Sequence, residues 1–537
     1  MANLHLRKDT VDVVVVGCGA GGGVIAKELG EAGATVVVLE AGKRFQPSTD
    51  YTTDRDDFEV TARRTFAPDD PRRDRYTLGG ASRFGYTRVK GVGGSTLAYL
   101  AVAPRFHESD FRVQSEDGVT NDWPISYADL EPYYTRVEYE LGVSGLNDAT
   151  ANPHDPPRSK PFPTPPHEFN CAGRIVKRGT DRLGLHLVPS PLAIPTISWG
   201  GRPGCFRAGA CALGCKVMAK SSIDVTYVPK AEATGRVEIR PQCMAREITL
   251  GRDGKARSVV YADAEGREQA ISARVIVVAG NAVETPRLLL MSASGRFPKG
   301  LANSSGLVGK YFTEHLAVFA YALFSERLDP WRGPMAGGTI QDFYATDKRH
   351  SFVRGWTVEV NNSGQWPAAV ARRAAGWGTE QKARTKELFA HLVGLATVGE
   401  QLPDVRNQVT LDPHEKDHLG LPVPRLLNEP RENDQAMLKV LPTCLRQIFE
   451  AAGATEVWEP KYRPGWSAHY LGTCRMGADP AISVVDPWCR THDVPNLFIG
   501  DSSVFVTGAA VNPSLTIMAL ATRTAEGIEA AFKRGEL

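Results

Sequence analysis

The sequence predicts a protein of the α/β class, α+β overall, in which a nucleotide-binding domain built on a parallel sheet is interleaved with a second domain. A strand, a glycine turn and a helix follow one another near the N-terminus, within residues 11–32. Two more strands of the buried type lie far along the chain, at residues 274–279 and 497–501. Because strands of one sheet are spread over the whole chain, we infer that another domain is inserted between them.

The bulk composition fits a globular protein of more than one core. The chain has 537 residues, of which 42% are hydrophobic and 23% charged. Its net charge of +2 gives no field that would attract a polyanion, so a nucleic-acid partner is not expected. No apolar run approaches the roughly 20 residues of a membrane span, and residues 1–10 lack the pattern of a signal peptide. We therefore expect a cytoplasmic protein without a membrane span.

The N-terminal unit has the pattern of a Rossmann-like dinucleotide site. Its strand, glycine turn, helix and second strand are predicted at residues 11–16, 17–23, 24–32 and 35–39. Gly17 allows the tight turn, Gly19 lets the backbone approach a pyrophosphate, and Gly22 lets the helix pack closely on the strand. Glu40 ends the second strand, where an acid accepts hydrogen bonds from the adenosine ribose and disfavours a 2′-phosphate. The alternative, an ordinary glycine-rich turn, explains neither the second strand nor the acid.

Three later segments extend this prediction. Gly93-Gly94-Ser95-Thr96 belongs to a glycine-dense loop suited to holding backbone N–H groups against a phosphate or a flat ring. The strand at 274–279 ends in Ala279 and runs into a glycine and an apolar helix, and the strand at 497–501 ends in Asp501. We expect all three segments to meet at the nucleotide.

Taken together, these motifs resemble those of the glucose-methanol-choline (GMC) oxidoreductase family nearly end to end. The resemblance rests on the N-terminal glycine motif and four further segments: Gly93-Gly94-Ser95-Thr96, Glu284-Thr285-Pro286, His469-Tyr470-Leu471-Gly472-Thr473-Cys474-Arg475-Met476-Gly477 and Asn512-Pro513-Ser514-Leu515-Thr516. It implies bound FAD, a Rossmann-like FAD-binding domain, and a substrate domain whose antiparallel sheet roofs the flavin. Within the family, the chain is most similar to bacterial sugar, gluconate and polyol dehydrogenases and to glycoside oxidases.

The resemblance also implies domain boundaries and a set of cofactor contacts. Residues 1–110, 220–315 and 462–537 are assigned to the FAD-binding domain, and residues 111–219 and 316–461 to the substrate-binding domain. Asp501 is placed at the ribityl-pyrophosphate and Ala245 near the adenine. The expected cofactor-binding residues are Gly17, Gly19, Gly22, Glu40, Ala41, Gly93, Gly94, Ser95, Thr96, Ala245, Ala279, Asp501, Pro513 and Thr516.

The mode of flavin attachment is predicted from the residues after the glycine-dense loop. Some members of the family bind FAD covalently through a histidine at this place. Here the chain reads Leu97-Ala98-Tyr99-Leu100, without a histidine. We therefore expect non-covalent FAD.

The expected reaction needs a base, because an alcohol gives its hydride to flavin N5 readily only when the hydroxyl proton also leaves. By the resemblance, His469 is this base and Asn512 is the second member of the catalytic pair. An amide has no acid-base function at ordinary pH, so Asn512 is expected to orient the substrate oxygen and stabilise developing charge. His492 is interpreted as a structural histidine.

The substrate class is predicted from weaker signals. The pattern of residues 399–403 and 407–411 favours oxidation of a CH–OH group of a sugar, glycoside or polyol to a carbonyl. Trp356, Trp366 and Trp377 are either core aromatics or a platform for a sugar face. The alternatives are a sterol or aliphatic alcohol oxidase, a non-redox flavin lyase or a photodecarboxylase of the same fold, and a flavin-binding scaffold without activity.

A cysteine cluster leaves the electron acceptor open. Cys205, Cys211 and Cys215 are spaced as in the family's electron-transferring dehydrogenase subunits, which carry a 3Fe–4S cluster. The alternatives are packed or disulfide-linked cysteines, or zinc, although zinc usually needs a fourth ligand. With a cluster we expect a quinone or cytochrome as acceptor, and without one dioxygen or a soluble acceptor.

Overall fold

The computed structural model describes residues 10–51, 66, 73, 75–148, 150–328, 332–361, 370–371, 374 and 376–537. Strands and helices are numbered below in chain order within these residues. The helices are α1 Gly22–Glu31, α2 Pro47–Asp50, α3 Val113–Asp117, α4 Tyr127–Leu141, α5 Cys171–Leu183, α6 Tyr227–Ala233, α7 Asn281–Met291, α8 Gly378–His391, α9 Glu432–Ala452 and α10 Ser514–Lys533. None of them combines the length and the apolar character needed to cross a bilayer.

The first sheet is the predicted nucleotide-binding sheet. Its strands are β1 Thr10–Val16, β2 Val36–Leu39, β5 Val237–Arg240, β6 Met244–Leu250, β7 Ala256–Ala262, β8 Glu268–Val278 and β20 Leu497–Ile499. They lie in the order β5-β2-β1-β8-β7-β6, and β20 also pairs with β8. Strands β5, β2, β1, β8 and β20 are parallel, whereas β6 and β7 add an antiparallel edge. The parallel strands read as continuous apolar runs because helices cover the sheet.

A second sheet is antiparallel, as expected for the roof of a flavin site. Its strands are β4 Leu187–Val188, β10 His315–Leu316, β11 Val318–Leu323, β12 Ala336–Ile340, β13 Trp356–Asn361, β14 Leu392–Glu400, β17 Glu456–Val457 and β18 Lys461–Tyr462. Side chains alternate between its two faces. Val358 and Val360 of β13 join the core under α5 and α9, so Glu359 points to the other face.

A third, smaller sheet joins strands from both predicted domains. Its strands are β3 Thr77–Leu78, β9 Lys310–Thr313, β15 Gln408–Lys416, β16 Pro422–Leu427 and β19 Leu471–Thr473. The mixed α/β class and the two expected sheets are confirmed. The residue boundaries assigned to the two domains stay a prediction.

Glycines explain why the first helix begins where it does. A Cβ on Gly22 would lie 2.0 Å from the carbonyl oxygen of Gly17, and a Cβ on Gly21 would lie 1.7 Å from that of Gly500. Only glycine permits these approaches, so α1 packs against β1 and the end of β20. Helix α1 begins at Gly22, two residues before the predicted start.

Candidate active site

A cavity of about 560 Å³ lies between the carboxyl ends of the parallel strands and the antiparallel sheet. Ligands in open α/β sheets bind at this edge. The predicted site residues that line the cavity are Gly17, Gly19, Glu40, Ala41, Gly94, Ser95, Thr96, Ala245, Ala279, Asp501, Pro513, His469 and Asn512. Three other predicted residues, Gly22, Gly93 and Thr516, are not part of its wall. The Thr516 hydroxyl instead lies 2.8 Å from the Tyr134 hydroxyl in the core.

The glycine turn forms a cradle that a side chain would fill. Gly17 has a φ of +99°, and a Cβ there would lie 2.4 Å from the carbonyl oxygen of Ala279. A Cβ on Gly94, whose φ is +55°, would lie 2.7 Å from the Cα of Gly19. The glycine-dense loop is held on this turn because Gly93 N donates to Cys18 O at 2.9 Å. The backbones of the glycine turn and the glycine-dense loop therefore lie in close contact beside the cavity. This arrangement fits a pyrophosphate bound by backbone N–H groups.

Glu40 and Asp501 are buried acids at the cavity edge. The two oxygens of Glu40 accept hydrogen bonds from Cys18 N at 2.9 Å and Gly42 N at 2.8 Å. Gly91 N also donates to this carboxyl group, and the remaining lone pair can accept from a ribose hydroxyl. Asp501 accepts from Asn281 N at 2.9 Å and Ser503 N at 2.8 Å, tying together the ends of β8 and β20. Burial raises the pKa of both carboxyl groups.

At the opposite end of the cavity, His469 lines the wall and His315 lies behind it. His315 Nε2 lies 2.8 Å from the carbonyl oxygen of Ala509 and 3.2 Å from that of Gly508. A carbonyl oxygen only accepts, so Nε2 of His315 carries the proton and its Nδ1 is an acceptor. His469 Nδ1, at 2.9 Å, must then donate to His315 Nδ1. The network leaves Nε2 of His469 unprotonated on the cavity side.

Burial keeps both rings neutral. Desolvation lowers the pKa of His315, and desolvation followed by the charge of His315 lowers the pKa of His469 well below that of an ordinary histidine. A neutral pair sharing one hydrogen bond between Nδ1 atoms agrees with the tautomers assigned above. His469 is therefore a neutral acceptor at ordinary pH.

Asn512 and Glu359 continue the polar wall beyond His469. Asn512 lies just before α10, and its Nδ2 is 3.4 Å from Nε2 of His469. The amide groups of Asn512 and Asn361 also donate to the carboxyl group of Glu359. Burial raises the pKa of Glu359 to about 7. His469, Asn512 and Glu359 thus form one continuous polar strip on the cavity wall.

Aromatic side chains of the substrate-side wall differ from those named in the sequence analysis. Phe319, Tyr321 and Trp466 line the cavity, and Trp466 is 59% exposed at its rim. Trp356 is a core aromatic, stacked on Phe343 at 5.1 Å, and Trp377 is 87% exposed and not part of the wall. Trp366 lies outside the described residues.

Five residues of the site were not predicted from the sequence: His315, Phe319, Tyr321, Glu359 and Trp466. Each is a single side chain on a strand or loop, without a local motif. His315 is 154 residues from His469 and Glu359 is 153 residues from Asn512, so only the fold brings each pair together. Alternation along β13 was the one available signal, since a glutamate between Val358 and Val360 must face away from their core.

The cysteine loop lies beside the cavity as three free thiols. Ala212 lines the cavity, and Lys220 Nζ donates to Cys211 O and Leu97 O, both at 2.7 Å. Burial raises the pKa of Cys205 to about 11 and also raises that of Cys211, so these two thiols are protonated. Among the described residues, the three sulfurs do not gather within the reach of a single metal ion. Nothing in this arrangement supports the 3Fe–4S cluster.

The structure also locates His492, which was interpreted as structural, and the residues that follow the glycine-dense loop. His492 lies outside the cavity wall with its Nε2 at 2.9 Å from Ser483 Oγ, in agreement with a structural histidine. Ala98 and Tyr99 line the cavity, and the Tyr99 hydroxyl donates to Ser221 O at 2.7 Å.

Comparisons with known proteins identify the family. The model described as GMC oxidoreductase matches residues 168–317 and 403–521. The chain is 37% identical to a 2-methyl-1,2-propanediol dehydrogenase of Mycolicibacterium austroafricanum, over 98% of this chain and 96% of that relative. It is 30% identical to the fructose dehydrogenase large subunit of Gluconobacter japonicus, over 98% and 99% of the two chains.

A solved structure supports the fold. A formate oxidase variant of Aspergillus oryzae RIB40, solved to study FAD modification, superposes with a TM-score of 0.68 at 15% identity, covering 98% of this chain and 99% of the other. At this identity the likeness concerns the fold alone. The two family models and the two relatives show that the chain belongs to the glucose-methanol-choline (GMC) oxidoreductase family, as an FAD-dependent oxidoreductase that acts on CH–OH donors.

Proposed function

We propose that the enzyme oxidises a CH–OH group of a polyol, sugar or glycoside to a carbonyl, with His469 as the base. The observation that carries this proposal is the unprotonated Nε2 of His469 on the cavity wall, fixed by the contact with His315. The names of a diol dehydrogenase and a fructose dehydrogenase subunit among the relatives favour a hydroxylated substrate. The polar strip from His469 to Glu359 suits such a molecule better than a sterol or an aliphatic alcohol.

The substrate hydroxyl donates its hydrogen bond to Nε2 of His469, and the Asn512 N–H that lies near this nitrogen donates instead to the substrate oxygen. When the proton moves to Nε2, His469 becomes an imidazolium whose Nδ1–H still points to His315 Nδ1. The lone pair of His315 stabilises that charge, and the Asn512 amide stabilises the developing charge on the oxygen. Bound FAD supplies the hydride acceptor, flavin N5. The carbinol thereby loses one proton and one hydride and becomes a carbonyl.

We propose that FAD is held without a covalent bond, by the glycine cradle, Glu40 and the loop of Gly94, Ser95 and Thr96. Ala98 offers no nucleophile at the place where some members of the family carry a histidine. Acid or heat denaturation should release the flavin into the supernatant. Flavin that stays with the precipitated chain would contradict this proposal.

For the cysteine loop we propose packed free thiols, so that dioxygen or a soluble carrier receives the electrons. In support, Cys205, Cys211 and Cys215 are free cysteines whose sulfurs, among the described residues, do not gather around one metal position. The 3Fe–4S cluster, with a quinone or cytochrome as acceptor, stays a prediction of the cysteine spacing. The cytoplasmic location likewise stays a prediction.

The direct test of the substrate class is anaerobic reduction of the bound flavin. Purified holoenzyme is mixed with polyols, sugars and glycosides, and in parallel with sterols and long-chain aliphatic alcohols. We expect bleaching of the flavin absorbance by members of the first group. Bleaching only by the hydrophobic alcohols would overturn the proposal, and no bleaching by any alcohol would favour a non-redox reaction.

A further inference from the structure

Glu359 is a buried acid that the proposed proton transfer does not use. Its side chain lies on the cavity face of β13, and the residue is 4% exposed. One of its oxygens, Oε1, is buried without a hydrogen-bond partner, although the residue lines the cavity. A buried carboxylate oxygen without a partner is costly, and native proteins usually satisfy such atoms with a protein group, water or a ligand.

The protein around Glu359 supplies no partner for this oxygen. Across β13, its neighbours in the sheet are Ala396, which has no polar side chain, and Thr339, whose hydroxyl lies 2.6 Å from Ser190 Oγ. The amides of Asn512 and Asn361 already donate to the same carboxyl group. Within the described part of the chain, no lysine or arginine forms a salt bridge with Glu359. Oε1 is therefore an acceptor without a protein donor on a residue that lines the cavity.

The position of Glu359 relative to the base defines what that ligand can be. Asn512 Nδ2 is 3.4 Å from Nε2 of His469, and the same amide donates to Glu359. The acceptor nitrogen and the acceptor carboxyl are thus separated by a single amide group. A molecule whose reacting hydroxyl is on His469 needs a second donor close by to reach Glu359. Two hydroxyls on adjacent carbons meet that requirement.

We infer that Glu359 is a specificity-determining residue that accepts a hydrogen bond from a second hydroxyl of the substrate, on the carbon next to the one oxidised. This inference rests on the proposed function, because it places the reacting hydroxyl on His469. It narrows the substrate class to vicinal diols and larger polyols or sugars that contain this unit. A site built to bind a hydroxyl discriminates strongly against the analogue that lacks it, because the buried acceptor is then left unpaired.

The test compares matched alcohols in wild type and in Glu359→Leu. Ethylene glycol is paired with ethanol, and glycerol with n-propanol, and anaerobic flavin reduction gives the limiting rate and the half-saturating concentration for each. Glu359→Leu should lower the limiting rate divided by the half-saturating concentration about ten- to hundredfold for ethylene glycol and glycerol, because both bind more weakly. The two monohydric alcohols should lose clearly less, because for them the variant removes only the contact between Glu359 and the Asn512 amide. Glu359→Gln, which keeps an acceptor oxygen, should fall between wild type and Glu359→Leu.

Thr357→Val is the matched control, since Thr357 lies on the same strand and the same face, two residues away, and is outside the cavity wall. Any effect of Thr357→Val on flavin reduction should be equal for diols and for monohydric alcohols. Retained FAD and an unchanged melting temperature establish that each variant is folded. The inference would be overturned if Glu359→Leu lowered the limiting rate divided by the half-saturating concentration equally for ethylene glycol and ethanol, or equally for glycerol and n-propanol.

Failure of the proposed function would look different. In that case none of the four alcohols would bleach the flavin of the wild-type enzyme. Binding is then followed through the perturbation of the oxidised flavin spectrum on titration with glycerol. A larger loss of affinity for glycerol than for n-propanol in Glu359→Leu would still support the role of Glu359, and equal losses of affinity, or no loss, would overturn it.

Discussion

The Nδ1 atoms of His315 and His469 lie 2.9 Å apart, and this contact determines which nitrogen of His469 faces the cavity as an acceptor. The carbonyl groups of Gly508 and Ala509 fix the proton on Nε2 of His315, so Nδ1 of His315 accepts from His469. Nε2 of His469 is therefore unprotonated. His315 is a positioning residue, since it acts on the substrate only through His469.

Removal of the acceptor on His315 should impair the base without abolishing it. In His315→Leu, His469 loses the partner of its Nδ1–H and can adopt the tautomer whose Nε2 carries a proton. We expect the limiting rate of anaerobic flavin reduction to fall about ten- to hundredfold, with little change in substrate affinity. His315→Gln, whose carbonyl oxygen can accept from Nδ1, should recover part of the rate.

His492→Leu is the control for loss of a partly buried histidine, because His492 is hydrogen-bonded to Ser483 away from the cavity. It should leave the reduction rate unchanged. If His315→Leu reduced its flavin as fast as wild type while keeping bound FAD, the tautomer argument would be wrong.

The pH dependence of flavin reduction follows from the lowered pKa of His469. Desolvation and the neighbouring His315 favour the neutral ring, so the base is already unprotonated at the ordinary histidine pKa of about 6.5. The limiting rate should be constant above that pH and should fall only on further acidification, as His469 takes up a proton. Stopped-flow reduction over a pH series measures this profile.

Glu359 is the group that could obscure this profile, because its pKa is raised to about 7. The series is therefore repeated in Glu359→Gln, which has no carboxyl group to titrate. A midpoint at the pH of an ordinary histidine that persists in Glu359→Gln and disappears in His469→Ala would contradict the lowered pKa.

Cys211→Ser tests the nature of the cysteine loop. If the thiols are only packed, the variant should keep its FAD, reduce its flavin at the wild-type rate and lose at most some thermal stability. Protein purified anaerobically after iron-replete expression should contain no stoichiometric iron or acid-labile sulfide. Brown absorbance with iron in wild type, lost in Cys211→Ser together with electron transfer to acceptors, would establish the cluster instead.

Much of the nucleotide end could be predicted because its physical requirements are local in sequence. Gly17 needs a positive φ, Gly22 must clear a carbonyl oxygen, and Glu40 ends a strand in register with them. Each requirement restricts the residue type at its own position, so the sequence records it directly. Strand β20, ending before Asp501, was predictable for the same reason.

The substrate end was predictable only in part. His469 and Asn512 were found through motifs, whereas His315 and Glu359 became visible only when the antiparallel sheet placed them beside that pair. A histidine or glutamate on a strand has no local requirement that marks its role, since its partner is supplied by a distant segment. Thr516 shows the opposite case: it lies in a motif, yet its hydroxyl faces Tyr134 rather than the cavity.

The most direct test of the central claim is the rate of anaerobic flavin reduction in His469→Ala, with Asn512→Ala beside it. His469→Ala should slow reduction by about two to four orders of magnitude, the usual contribution of a positioned acid-base group, with FAD still bound. Asn512→Ala should slow flavin reduction less than His469→Ala, because water or another donor can replace the amide. Flavin reduction at a near-normal rate in FAD-loaded His469→Ala would contradict the assignment of His469 as the base.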